Sequence, residues 1–253
     1  MQQSYTSHLV DLRNHGASEW HAEMDYKSLA EDVHRYIESA GLASEQVALV
    51  GHSLGAKTAM AYSCMFPNKV SRVVSLDASP VDRGDCPHLN STSEEMIENA
   101  IALGSLTHLT LPEAIKKIKS EVSDPVLQSA LLFNLNQDCS LQVNLQAIHD
   151  NQQNIYGFPK GFDHTFDGPC LMLNGADSFQ REILDDVNFY KHAFPKISAD
   201  DIVMIKEAGH GLHFEQPAKV RKLIHSFLLT ATETVFEGEA NIHQTGKAKL
   251  AAL

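Results

Sequence analysis

A serine at position 53 stands between two glycines in the run Gly51-His52-Ser53-Leu54-Gly55. The apolar stretch at 46–51 precedes it, and the helix-forming stretch at 54–65 follows. Strand, G-x-S-x-G and helix in that order form the setting of a nucleophile elbow. Such a turn forces strained backbone angles on the serine, and its flanking glycines leave room for neighbouring backbone. The hydroxyl then projects at a helix N-terminus, where the dipole favours developing negative charge. The Leu54 N–H would face an oxyanion. A glycine-rich turn carrying an incidental serine is the competing reading, and the surrounding strand and helix weigh against it.

A serine hydroxyl is a weak nucleophile at neutral pH and needs a base. Of the fourteen histidines, His210 is the best placed. In "DIVMIKEAGHGLHFEQP" it follows an apolar strand and a short loop and precedes a helix. The chain order of an elbow enzyme is serine, acid, histidine. His213 makes a His-x-x-His pair with His210, but a metal site would need further ligands and no nearby cluster supplies them. His213 is therefore read as loop or packing, and no metal or organic cofactor is expected. Two carboxylates compete for the acid position. Asp77 ends "VVSLD" and Asp177 follows "LMLNGA"; both lie between Ser53 and His210 and both follow apolar strands. The general habit of elbow hydrolases slightly favours Asp177.

The elements that must hold these residues alternate. A short strand is expected at 7–12, followed by the turn "RNHGAS". Apolar residues three or four apart from Tyr26 to Ala40 predict a helix, with Asp25 as N-cap and Gly41 as stop. Strands at 46–51, 70–77, 169–175 and 201–207 alternate with helices at 54–65, 178–192 and 218–229. This rhythm predicts an α/β fold with a mostly parallel sheet covered on both faces. Residues 84–165 break it with helical pieces and no buried strand, as a helical lid inserted between two strands would. The domain reading is a core of residues 1–83 and 166–230, a lid of 84–165, and a flexible C-terminal tail of 231–253.

A chain of 253 residues with 43% hydrophobic and 21% charged residues is long and apolar enough to bury one sizeable core. A net charge of -12 disfavours nucleic acid and anionic membrane surfaces as partners. No apolar run is long enough to span a bilayer, and the first residues lack the pattern of a signal peptide. Cys64, Cys86, Cys139 and Cys170 lack metal-type spacing and read as reduced thiols, which suggests an intracellular setting in cytoplasm or mitochondrion.

On the stretches "VDLRNHGAS", "VALVGHSLGAKTAM", "VVSLDASPVD", "LQVNLQAI" and "EAGHGLHFEQP", the chain resembles the α/β-hydrolase superfamily. More narrowly, it resembles esterases of the abhydrolase domain-containing protein 11 type and their bacterial relatives. Lys57 within "GHSLGAKTAM" is not general to the superfamily and sharpens the likeness. The resemblance covers roughly residues 2–230. It implies serine-dependent hydrolysis of small acyl esters, thioesters or lipid-like acyl groups through an acyl-enzyme. It also implies Ser53 as nucleophile, His210 as base and Asp77 as acid, with Asp177 as the alternative acid.

The same resemblance implies earlier strands and a His-Gly loop that find no match in these residues. In the resembling proteins that loop gives a second oxyanion donor, and one of those strands lies beside the strand that carries the serine. The expectation is therefore an N-terminally truncated form, with a gap in the sheet beside residues 46–51 and impaired activity. A non-catalytic binding or interaction protein on the same scaffold is the alternative.

Overall fold

The computed structural model describes residues 5–82, 88–159, 161–162, 164–229 and 249–252. Strand β1 (Thr6–Leu9) leads through a long loop into helix α1 (Tyr26–Ser39). The Asp25 carboxylate caps α1 by accepting the Ser28 N–H at 2.7 Å, and Gly41 takes a left-handed φ of 73° just past its end. Strand β2 (Val47–His52), helix α2 (Leu54–Met65) and strand β3 (Val70–Leu76) follow the predicted bounds to within a residue. Strand β4 (Cys170–Gly175) and strand β5 (Ile202–Ile205) extend the sheet, and helix α10 (Pro217–Leu229) closes the alternation. All pairings among β2, β3, β4 and β5 are parallel.

Both faces of the central strands β2, β3 and β4 are buried or nearly so, which is why they read as continuous apolar runs. On one face Leu49, Val73 and Met172 pack with Leu29, Val33 and Ile37 of α1 and Met60 of α2. On the other, Ala48, Val74, Leu173 and Ile205 pack with Val220 and Leu228 of α10. Alternate residues of one strand thus feed two cores, each buried Leu or Val contributing about 1.5–3 kcal/mol of transfer free energy.

Between β3 and β4 the chain forms helices α3 (His88–Ala102), α4 (Leu111–Glu121), α5 (Pro125–Phe133), α6 (Leu145–Asp150) and α7 (Gln152–Ile155). This stretch has its own core, in which Leu103, Leu106, Ala114, Ile118, Val122 and Leu131 pack together. It is fastened to the sheet domain through polar groups. The Asn14 carbonyl oxygen accepts the Asn144 N–H at 2.9 Å, and the Asn151 side chain binds both Met24 N–H and the Ala22 carbonyl. From α2, the Lys57 ammonium donates to the Tyr156 carbonyl at 2.6 Å.

Three expectations are revised. The helix expected over 178–192 is broken into α8 (Arg181–Leu184) and a 3-10 turn at Val187–Phe189. The Leu184 carbonyl is taken by the Asn174 amide at 2.8 Å and the Tyr190 hydroxyl at 3.1 Å, and the Asp186 carboxylate accepts the Asn188 N–H. Those side-chain bonds compete with a continuing helical ladder. The histidine loop runs into the short helix α9 (Leu212–Glu215) before α10.

The third revision concerns the tail and the gap. Residues 230–248 lie outside the described residues, as does Cys86. Lys249–Ala252, however, are not a free tail: they form strand β6, parallel to both β1 and β2, and the sheet order is β1-β6-β2-β3-β4-β5. The gap expected beside β2 is filled by β6, which lies between β2 and β1. Pairing is backbone chemistry, so a four-residue strand leaves little trace in the composition of a polar 23-residue window.

Candidate active site

The nucleophile candidate comes from the turn between β2 and α2. Ser53 has φ 52° and ψ −114°, a left-handed setting of the kind that costs of order 1–3 kcal/mol in a non-glycine residue. The turn survives because the two glycines permit it. A Cβ at Gly51 would run into the Gly55 carbonyl and the Ala56 nitrogen. The Ser53 N–H donates to the Leu76 carbonyl at 3.0 Å, tying the turn to β3. Leu54 opens α2, so its N–H belongs to the first turn, where amides have no helical carbonyl to bind.

Asp77 is the residue that follows β3. Its N–H donates to the Leu173 carbonyl at 2.9 Å, and its side chain is completely buried. Oδ1 accepts the Gly175 N–H at 2.7 Å; Oδ2 accepts the Ser178 hydroxyl at 2.6 Å and faces His210 Nδ1 at 2.7 Å. A buried carboxylate needs such donors, and here three of them converge on it. His210 sits in the loop after β5. Because Nδ1 meets an acceptor, the proton is assigned there, leaving Nε2 to accept from Ser53 Oγ at 3.1 Å. Three side chains from three strand ends thus form one continuous relay, Asp77–His210–Ser53.

Asp177 stands apart from that relay. Its N–H donates to the Ala208 carbonyl at 2.9 Å, but its side chain is exposed. The residue next to it, Ser178, is the one that reaches Asp77, and nothing in its sequence setting distinguished it from a helix start. The loop is also fixed by close backbone contact: a Cβ at Gly175 would collide with the Gly209 carbonyl.

His210 is surrounded by rings. The His52 ring lies 4.7 Å from it and Phe179 5.2 Å from it, centroid to centroid. His213 packs against His52 at 4.4 Å. Burial pushes His52 down to about 3, with the nearby His210 and His213 adding to the effect, and burial lowers His213 as well. The relay therefore has no standing cation beside it from the histidine pair at neutral pH. Among the described residues, no group of three or more His, Cys, Asp or Glu could hold a metal ion. No helix among them is long and apolar enough to cross a membrane.

Residues 2–111 match the family described as the alpha/beta hydrolase fold. The sn-1-specific diacylglycerol lipase ABHD11 of Danio rerio is 30% identical over 226 residues, spanning 87% of this chain and 68% of that protein. This chain belongs to the α/β-hydrolase family. Esterase YbfF of Escherichia coli is 26% identical over 223 residues, covering 87% of this chain and 81% of its own length. The solved structure of a marine microorganism esterase superposes with a TM-score of 0.74 at 30% identity, over 86% of this chain and 82% of that one. Within the family the chain groups with the ABHD11-like esterases.

Proposed function

We propose that this chain is a serine-dependent carboxylic ester hydrolase that works through an acyl-enzyme. The relay carries the reading: Ser53 Oγ to His210 Nε2 at 3.1 Å, and His210 Nδ1 to Asp77 Oδ2 at 2.7 Å. His210 takes the hydroxyl proton as Ser53 Oγ attacks the ester carbonyl. Asp77 holds the imidazole in its Nδ1–H tautomer and stabilises the imidazolium. The Leu54 N–H donates to the oxyanion. His210 then protonates the leaving alcohol, and the acyl group stays on Ser53. Water activated by His210 attacks the acyl carbonyl and releases the carboxylic acid.

The substrate class is a small acyl ester or thioester or a lipid-like acyl ester, in line with relatives named esterase and diacylglycerol lipase. Helices α3 to α7, between β3 and β4, serve as a lid over the strand ends.

A fluorophosphonate probe tests the reading. The expected result is labelling that maps to Ser53 and disappears in Ser53→Ala. A folded protein that resists the probe and hydrolyses no short-chain ester would overturn it in favour of a binding protein on the same scaffold.

A further inference from the structure

The turn that presents Ser53 also grips the main chain of His210. His52 is the residue immediately before Ser53, and its Nε2 lies 2.8 Å from the His210 carbonyl oxygen. A carbonyl only accepts, so His52 carries its proton on Nε2 and donates it there. His210 is thus held by two consecutive residues of one turn, at its backbone by His52 and at its imidazole Nε2 by Ser53. We infer that His52 is a positioning residue, which locks the base-bearing loop to the nucleophile turn so that the Ser53–His210 distance is kept whenever either moves.

The surroundings suit that role. The loop is anchored on the flanks of His210, where the Ala208 carbonyl accepts the Asp177 N–H and the Gly209 N–H donates to the Glu215 carboxylate, both at 2.9 Å, while His52 binds the carbonyl of His210 itself. The His52 ring packs against the rings of both His210 and His213, at 4.7 and 4.4 Å. Those two ring contacts oppose rotation of His52 away from the carbonyl. The charged or titratable groups facing His52 are His210, His213 and, beyond His210, Asp77; Glu215 acts on His213. Burial keeps His52 uncharged, so it donates a hydrogen bond without opposing the imidazolium that His210 forms during turnover. Misplacement of a catalytic group by about 1 Å can cost of order 10²-fold in rate, which sets the scale of the effect.

This inference rests on the serine-hydrolase reading for its rate effect, and a second readout stands apart from activity. His52→Phe keeps an aromatic ring and removes the donor; His52→Gln keeps a neutral N–H close to the position of Nε2. The rate of Ser53 phosphonylation and kcat for a chromogenic short-chain ester should fall about ten- to a hundredfold in His52→Phe, with KM little changed. His52→Gln should restore the rate to within a few-fold of the parent, with the same acid limb in the pH profile. In proton–nitrogen NMR the parent should show His52 as the Nε2–H tautomer, and a protected downfield proton on His210 Nδ1. That proton should exchange faster with water in His52→Phe and remain protected in His52→Gln. His52→Phe as fast as the parent, or His52→Gln as slow as His52→Phe, would overturn the role. So would an Nδ1–H tautomer at His52. If the parent never reacts with the phosphonate, the hydrolase reading falls, and the tautomer and exchange data still decide the anchor.

Discussion

Ser53 and Asp77 each stand one residue beyond a pair of neighbouring strands, and both take left-handed φ, 52° and 51°. The last register pair of β2 and β3 is His52 with Leu76, so the two residues that follow leave the sheet side by side. That single register relationship sets the spacing that His210 bridges, with 3.1 Å to one and 2.7 Å to the other. A slip of one residue would turn every side chain of β3 to the opposite face and take the carboxylate away from the imidazole.

Ser53→Ala should end both probe labelling and ester hydrolysis. It removes one hydrogen bond, to His210 Nε2, and leaves the backbone setting intact. The melting temperature should move by only a few degrees, consistent with a loss of about 1 kcal/mol. Hydrolysis that survives in the alanine variant would show that another residue carries it.

The two carboxylates should separate cleanly. Asp77→Asn leaves an amide facing donors from Ser178 and His210 and no longer fixes the Nδ1–H tautomer. Hydrolysis should fall by about 10⁴, the scale that such a replacement has in a serine protease. Asp177→Asn alters an exposed side chain and should change the rate less than twofold. Steady-state kinetics on both variants checks the order, and a larger loss from Asp177→Asn would reverse the assignment.

Gly51→Ala should damage the site through packing. The added Cβ meets the Gly55 carbonyl and the Ala56 nitrogen, which belong to backbone at the start of α2 and have no easy way to move. A loss of about 1–3 kcal/mol is expected, together with loss of labelling at Ser53. Denaturant melts and probe labelling on the same preparation measure both; an active variant with an unchanged melt would mean that the turn has more room than its geometry implies.

Acid should destabilise the protein partly through His52. Its folded-state value is about 3 against the ordinary 6.5. Between those values the unfolded chain binds a proton that the folded chain refuses. Stability is therefore fully present above about pH 6.5 and declines as the pH falls toward 3. At pH 4.5 this group alone accounts for about 2–3 kcal/mol of loss. His213, lowered in the same direction, adds to it. Urea melts at pH 7.5 and 4.5 on the parent and on His52→Gln should show a smaller acid loss in the variant. Equal losses in the two would mean that His52 is not held neutral.

Much of the fold was legible because it depends on patterns short enough to sit within one element. The 46–51 run, the glycine-framed serine and the 54–65 helix are contiguous, and their bounds in the structure differ by a residue at most. Ser53 and His210 stood out by the same local signals, which leaned to Asp177 for the acid, while the family resemblance put Asp77 there. What stayed open depended on residues far apart in sequence. Asp77 and Asp177 both follow apolar strands; only the β2–β3–β4 register and the path of the loop after β5 bring one to the imidazole and expose the other. Ser178 meets Asp77 across 101 positions, and His52 meets the His210 carbonyl across 158. Neither has a local pattern, because a hydroxyl or an imidazole takes its role from the partner that tertiary packing delivers. The same holds for Lys249–Ala252, whose backbone pairs with β1 and β2. The sequence by itself determined which groups are able to do chemistry and the elements that carry them. The tertiary structure decided which of those groups meet, since hydrogen bonds act only over about 3 Å and chain distance carries no information at that scale.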